Sequence, residues 1–247
     1  NPCAVLTDTY VAPIWFKLFV PSLTGHPFSG KICPIRTDWQ IETNCYQSVV
    51  DVPADAIIWD SKSKNWKDVG PNTFATSKAT FDLKFGEWHN GEQMDMNDII
   101  YSTYFLLEWG SEKDENDKTF DSDYSPQAAQ TAKTLVGIKP IDSDTIEVYT
   151  DYWHFDEGEI ASWTSPWSSM PWEIMAAMEK LVVDGKTSFS RSESISNNVN
   201  WLSLIIPNDA RLVQNQLEEF KSSKFVPDAL TDFNQISDFN TSRYHAS

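Results

Sequence analysis

Apolar and polar side chains alternate along residues 79–85, and this period of two predicts a β-strand with one buried face. Asn90 and Gly91 follow the strand, and they predict a tight turn because both residue types tolerate positive φ. Asp95 then predicts the N-cap of a helix over residues 95–109, whose apolar residues recur every three or four positions. The pattern therefore predicts a strand, a turn and a capped helix in direct succession.

Other segments show the same two periods, separated by loops rich in glycine, proline or charge. The other predicted strands are residues 39–43, 56–59, 66–69, 135–138 and 145–150. The other predicted helices are residues 10–20, 126–135, 171–183 and 209–222. The predicted loops are residues 21–36 and 111–123. This mixture of strands and helices predicts the α/β class in a mixed α+β arrangement.

Composition limits the classes of partner. A chain of 247 residues can bury a sizeable core in one large domain or two small ones. The net charge of −17 argues against nucleic acid as a partner, because phosphate binding needs basic patches. That charge suits an extracellular or salty setting, although simple solubility explains it equally well. The eleven tryptophans indicate binding surfaces as well as core.

The three cysteines are Cys3, Cys33 and Cys45, and no pair has the spacing of a zinc or redox site. In an extracellular protein one disulfide is expected, and Cys33–Cys45 and Cys3–Cys33 are both plausible. The four histidines are isolated, so the sequence predicts no metal site and no cofactor. No apolar stretch of residues 1–247 is long enough to cross a membrane, and these residues contain no signal-peptide pattern. Because the first residue is Asn1, we expect an internal piece of a longer precursor.

The densest aromatic segment contains the two candidate ligand-wall residues, Trp163 and Trp167. Aromatic faces beside Ser and Thr hydroxyls suit a peptide or a sugar in a mostly apolar cleft. The alternative is a loop that folds its aromatic side chains into the core. The nearby Asp156, Glu157 and Glu159 are acids of the kind that a glycosidase needs, but adjacent acids on one loop cannot flank a glycosidic bond. An acidic surface turn is therefore the preferred interpretation.

The strand, turn and helix also resemble, in order, the signature of the family 5 extracellular solute-binding proteins in their archaeal-type form. The matching residues are Thr80, Phe81, Leu83, Gly86, Trp88, His89, Asn90, Gly91, Asp98 and Ile99. Members of this family are the receptors of ABC importers for peptides and related solutes. We interpret these positions as markers of the fold, with His89 bonded to the backbone of the turn, and assign no residue a catalytic role.

The resemblance implies a periplasmic-binding-protein-like class II fold, in which two lobes close on a ligand by a hinge. It implies a receptor and not an enzyme. Such a receptor binds a peptide or similar solute outside the cell or in the periplasm, is membrane-anchored at full length, and delivers the solute to an ABC permease. The Gly-Pro-(Tyr/Phe) segment that opens the family's second lobe cannot be placed here. We therefore expect residues 1–247 to be the N-terminal part of a receptor, comprising the first lobe with its inserted subdomain.

Two alternatives come from other classes. One is a Trp-rich extracellular carbohydrate-binding module or glycoside-active enzyme, and the other is an extracellular structural module with no small ligand. The surroundings of residues 79–85 distinguish the first alternative from a receptor. A receptor needs this strand inside an α/β lobe, whereas a sugar-binding module would place it in a β-sandwich.

Overall fold

The computed structural model describes residues 20–45, 49–111, 117–123 and 125–231. The strands in this part of the chain are β1 (Leu23–Gly25), β2 (Ile32–Pro34), β3 (Thr37–Thr43), β4 (Val50–Val52), β5 (Ile57–Asp60), β6 (Asn65–Asp68), β7 (Thr73–Ala75), β8 (Ser77–Leu83), β9 (Leu135–Pro140), β10 (Thr145–Thr150), β11 (Thr187–Ser188) and β12 (Asn200–Trp201). The helices are α1 (Met96–Trp109), α2 (Ser125–Thr134), α3 (Glu157–Thr164), α4 (Trp172–Val183), α5 (Arg191–Asn197), α6 (Pro207–Ser223) and α7 (Asp228–Thr231).

A six-stranded antiparallel sheet with the order β3-β8-β10-β9-β5-β6 is the centre of the fold. Its six strands correspond to the six strands that the sequence pattern predicts, so those predictions are confirmed. The strand of the predicted strand–turn–helix unit is β8, where Phe81 lies opposite Trp39 on one side and Ile146 on the other. The mixed α/β class is confirmed, and the described residues form no β-sandwich.

The two faces of the sheet differ in polarity because successive side chains of a strand point to opposite sides. On one face Ala79, Phe81 and Leu83 of β8 are buried in the main hydrophobic core. On the other face Lys78 lies between two carboxylates, with its Nζ 2.9 Å from Glu42 and 3.6 Å from Glu147. The helices therefore pack on the apolar face, and much of the opposite face carries charge.

The turn and cap between β8 and α1 form as predicted. Gly91 has φ of +85°, a conformation that glycine adopts without steric cost, and its N–H donates to the Trp88 carbonyl at 2.9 Å. The Asp95 side chain accepts a hydrogen bond from the Asn97 N–H, and Asp98 completes a capping box. These local bonds hold the start of α1 directly beside the end of β8.

The helices 126–135, 171–183 and 209–222 are also confirmed, with ends shifted by at most two residues, as α2, α4 and α6. Helices α4 and α6 pack against each other, and α1 contacts α2, α4 and α7. Trp172, Met175 and Met178 of α4 are buried, as their spacing predicts. The spacing of apolar residues in α6 predicts a buried stripe of Leu212, Val213, Leu217 and Phe220; the last three are buried, but Leu212 is 37% exposed.

Three predictions need correction or lie outside the described residues. Residues 21–36 are not simply a loop, because β1 and β2 pair there as a short hairpin. The acids at 156, 157 and 159 do not lie on a turn: Asp156 caps α3, and the other two occupy its first helical turn. The predicted helix at residues 10–20 lies almost wholly outside the described residues. No helix in the described ranges combines the length and apolar character needed to cross a membrane.

Candidate functional site

Two adjoining cavities meet at the Trp167 side chain. The first, which we call the hydroxyl cavity, has a volume of about 420 Å³ and is lined by Trp163, Trp167, apolar side chains and nine Ser or Thr residues. The second, the Arg36 cavity, has a volume of about 400 Å³ and is lined by Trp167 together with Arg36. It is also lined by Trp88, His89 and Asn90 of the turn between β8 and α1, which we call the signature turn because it carries the family resemblance. Trp167 and Ser169 line both cavities.

Trp167 lies in the irregular segment between α3 and α4. Its indole N–H donates to the Val20 carbonyl at 3.0 Å, and its own carbonyl accepts from the Ser102 hydroxyl at 3.5 Å. Trp167 is therefore held through both its side chain and its backbone. A ring fixed in this way presents a rigid aromatic surface at little further entropic cost on binding.

Trp163 is near the end of α3 and is 43% exposed. Its ring stacks on Tyr152 with centroids 4.8 Å apart, and its indole N–H donates to the Thr134 hydroxyl at 3.0 Å. The structure thus brings the two predicted wall residues to one cavity. It does not fold Trp163 into the core, which was the alternative.

The hydroxyl cavity contains both occupied and available hydroxyl groups. Those of Thr103, Thr150 and Thr164 donate to backbone carbonyls and are thus already used. The hydroxyls of Ser162 and Ser169 make no hydrogen bond within the described residues. A ligand with polar groups could therefore find partners here beside the aromatic surfaces.

The signature turn forms one wall of the Arg36 cavity through Trp88, His89 and Asn90. The His89 ring is exposed and makes no hydrogen bond to the backbone of the turn, so the expected bond is not formed. The Asn90 side chain accepts from the Glu92 N–H at 3.1 Å and stabilises the turn. Residues interpreted only as fold markers therefore also line a cavity, which the sequence pattern did not predict.

Asp98 connects this wall to the rest of the protein. Its side chain is fully buried, and it accepts hydrogen bonds from the Trp88 indole at 3.2 Å and from the Asp95 N–H at 3.0 Å. Its second carboxylate oxygen accepts from the Trp172 N–H at 2.9 Å, at the start of α4. One carboxylate thus joins the turn, the cap of α1 and α4, which accounts for an acidic residue at this position.

The sequence does not indicate a role for Arg36, because this residue ends the predicted loop 21–36, which has no regular pattern of apolar and polar positions. Its Nε donates to the Lys84 carbonyl at 3.1 Å, and its guanidinium carbon is 5.8 Å from the centroid of the Trp167 ring. Gly86 lies beside it, where an added Cβ would be 2.5 Å from a terminal guanidinium nitrogen. The glycine of the signature therefore makes room for the arginine.

A separate polar cluster surrounds Glu179 on α4. This carboxylate is buried and accepts hydrogen bonds from the Tyr101 hydroxyl, from the Tyr104 hydroxyl at 2.6 Å and from the Trp109 indole at 3.0 Å. Burial raises the pKa of Glu179, although its three donors oppose that shift. Burial and the nearby Glu179 carboxylate also raise the pKa of Tyr104.

A second buried acid lies beside this cluster. Glu108 accepts from the Trp59 indole at 2.8 Å and from the Thr119 hydroxyl at 2.7 Å. A cavity of about 240 Å³ adjoins both acids. Because donors within the protein satisfy both carboxylates, we interpret the cluster as part of the core.

Cys33 and Cys45 are free thiols, so neither predicted disulfide is formed, and Cys3 lies outside the described residues. Within the described ranges no group of three or more His, Cys, Asp or Glu side chains is placed to hold a metal ion. No protein-family model matches the chain, and no curated protein matches it in sequence. The resemblance to family 5 solute-binding proteins therefore stays a prediction.

Proposed function

We propose that this chain is the N-terminal part of the solute-binding component of an ABC importer, and that the two cavities that meet at Trp167 contribute to binding a peptide or similar solute. The observation that carries the proposal is the convergence of separate sequence features at one place. Trp163 and Trp167 line the hydroxyl cavity, and the signature turn lines the adjoining one. In this proposal the receptor acts outside the cell or in the periplasm and passes the solute to an ABC permease.

The dimensions and chemistry of the cavities support this proposal. Each volume lies within the range of roughly 300–1,000 Å³ that is usual for small-molecule sites. Fixed indole rings supply apolar contact area, and unpaired hydroxyls supply hydrogen bonds, as a peptide backbone and its side chains require. The class II two-lobed fold is part of the proposal, since the mixed α/β lobe is compatible with it.

A sugar is the second candidate ligand, and the exposed ring of Trp163 beside the hydroxyl cavity favours it. An exposed indole face can stack on the apolar face of a sugar. The fold and the positions of the acidic residues near Trp163 give a sugar ligand less support. The described strands form no β-sandwich, and Asp156 is used as the cap of α3 with its carboxylate bonded to the Gly158 N–H at 2.9 Å.

Binding measurements with peptides and oligosaccharides test the proposal. The 247-residue chain is titrated with unmodified tripeptides and with oligosaccharides, by calorimetry and by thermal shift. We expect weak but saturable peptide binding, because one lobe alone cannot close on the ligand. Trp163→Ala should weaken it at least about tenfold further, because an aromatic wall residue is typical of a binding hot spot. Binding of oligosaccharides alone, or peptide binding that Trp163→Ala leaves unchanged, would overturn the peptide site proposed here.

Trp201→Ala is the matched control for that experiment. Trp201 is 44% exposed, its indole N–H donates to the Phe189 carbonyl at 2.8 Å, and it lines neither cavity. This variant loses a tryptophan of nearly the same exposure, whose indole N–H also donates one hydrogen bond. It should bind peptides as the wild type does, so equal losses in both variants would indicate a general effect on folding.

A further inference from the structure

We propose that Arg36 anchors a carboxylate, and that the Arg36 cavity takes a small molecule with a free carboxylate next to an apolar side chain. The inference deepens the proposed function and rests on it only for the idea that this molecule is a transported solute. It is carried by the position of Arg36, by the space that Gly86 leaves, and by the apolar character of the remaining wall.

The guanidinium of Arg36 has hydrogen-bonding capacity that the described part of the protein does not use. Nε is held by the Lys84 carbonyl, which leaves the two terminal nitrogens available in a fixed orientation. No Asp or Glu oxygen lies within 4.0 Å of this side chain among the described residues. A planar guanidinium with two available nitrogens suits a carboxylate, which it can bind through two parallel hydrogen bonds.

The immediate surroundings of Arg36 hold it in place. The Trp167 ring lies beneath the guanidinium at 5.8 Å, a distance at which a cation and an aromatic face attract each other. Gly86 has no side chain, and any Cβ there would displace a terminal nitrogen from its position. The signature glycine and the predicted wall tryptophan thus both position this arginine.

The rest of the cavity determines the kind of carboxylate. Its wall includes Met94, Met170 and Ile174, which suit an apolar side chain. Glu87 is the acid among the described lining residues, and its carboxylate accepts a hydrogen bond from the Gln93 side chain at 3.0 Å. Among the described lining residues Arg36 is the one permanently charged cation. A single arginine matches a singly charged carboxylate better than a phosphate, which usually takes several cations or backbone N–H groups.

N-acetyl-leucine and its neutral amide, N-acetylleucinamide, are the probes that test this inference. Each is titrated into the isotope-labelled 247-residue chain, and dissociation constants come from the shifts of the arginine Nε–H and tryptophan indole signals. We expect the acid to bind at least about tenfold more tightly than the amide, and to shift the Arg36 signal. Loss of a charge-assisted pair of hydrogen bonds is typically a change of this size or larger.

Two substitutions of Arg36 test whether its guanidinium binds the carboxylate of the probe. Arg36→Gln removes the charge and should weaken binding of the acid by about 10- to 100-fold, with no effect on the amide. Arg36→Lys keeps the charge but not the planar fork, so its loss should be smaller. Equal binding of acid and amide, equal binding of the acid by wild type and Arg36→Gln, or no binding of the acid would each overturn the inference.

Gly86→Ala tests the positioning of the guanidinium without changing its charge. The added methyl group should displace the terminal nitrogen and weaken binding of the acid several-fold, while the melting temperature changes little because the arginine can move aside. Gly25→Ala is the control, since a Cβ there would have only an ordinary contact at 3.7 Å. Unchanged affinity in Gly86→Ala would contradict the positioning role.

The inference and the proposed function can fail separately. If N-acetyl-leucine binds through Arg36 but oligosaccharides are the only other ligands that bind, the carboxylate site stands and the peptide proposal does not. If peptides bind equally well with a free or an amidated carboxyl terminus, the receptor proposal stands and the role of Arg36 is refuted.

Discussion

The Glu179 cluster and the Arg36 cavity both combine a charged side chain with aromatic rings, but they use its hydrogen bonds differently. Glu179 is buried and accepts from three donors on α1. Arg36 is half-buried, has one of its nitrogens bonded, and adjoins a cavity of about 400 Å³. A polar group whose partners all come from the protein contributes to folding, whereas one with unused capacity at a cavity is available to a ligand.

The largest effect on stability should come from Glu179→Leu. The substitution keeps a similar volume but leaves Tyr101, Tyr104 and Trp109 without their shared acceptor. We expect the free energy of unfolding to fall by about 3–5 kcal/mol, because each buried donor left unsatisfied costs about 1–3 kcal/mol. Urea unfolding measures the change. Glu218→Leu on α6 is the control, because Glu218 is exposed. If the free energy of unfolding changed little in both variants, Glu179 would not be part of a stabilising core network.

Asp98→Ala should have the next largest effect, because Asp98 belongs to the core and to the cavity wall at once. It loses the bonds to the Trp88 indole and to the backbone N–H groups of Asp95 and Trp172. We expect a loss of about 2–4 kcal/mol in urea unfolding, together with weaker binding in the Arg36 cavity. Asp98→Asn retains one acceptor oxygen and should lie between this variant and the wild type. Full stability in Asp98→Ala would show that the turn is held by other contacts.

The pH dependence of stability gives a smaller, distinct test of the buried acid. Burial raises the pKa of Glu179 above its ordinary value of 4.5, so between these two pKa values the unfolded state binds fewer protons than the folded state. This contribution to stability is therefore complete below pH 4.5 and falls as the pH rises through the folded pKa, by at most about 1.4 kcal/mol per pH unit.

Glu179→Gln cannot titrate, so comparison with it isolates this group from the others. The stability of the wild type minus that of Glu179→Gln should decrease as the pH rises from about 4.5, as measured by urea unfolding at several pH values. A difference that is independent of pH would show that the pKa of Glu179 is not raised by folding.

The smallest effect on stability is expected for Arg36→Leu. The variant loses one hydrogen bond to a backbone carbonyl and one cation–aromatic contact, so the free energy of unfolding should fall by less than about 1 kcal/mol. A loss comparable with that of Glu179→Leu would remove the distinction between the two regions and assign Arg36 to the structure.

Much of the fold could be predicted from the sequence, because its signals are local. All six strands of the central sheet have recognisable patterns, and Gly91, Asp95 and Asp98 follow from turn and cap chemistry. The short elements were missed. Strands β11 and β12 have two residues each, too few to show a period, and α5 has no buried residue to produce an apolar stripe.

The candidate site could be predicted only in part. Trp163 and Trp167 were selected because aromatic density is visible along the chain, and they do line a cavity. Arg36 is 131 residues before Trp167, and nothing in its own neighbourhood indicates a site. The same holds for Glu179, which meets its three donors from α1 only in the folded protein.

The sequence by itself determined the order of the main strands and helices, the capped turn between β8 and α1, and the acidic, Trp-rich composition. These properties depend on residues a few positions apart, whose backbone preferences and periodicity act locally. Only the tertiary structure decided that the signature turn, Arg36 and Trp167 share one cavity, and that Glu179 is saturated with donors. Those properties depend on packing between distant segments, which the local pattern of a chain does not encode residue by residue.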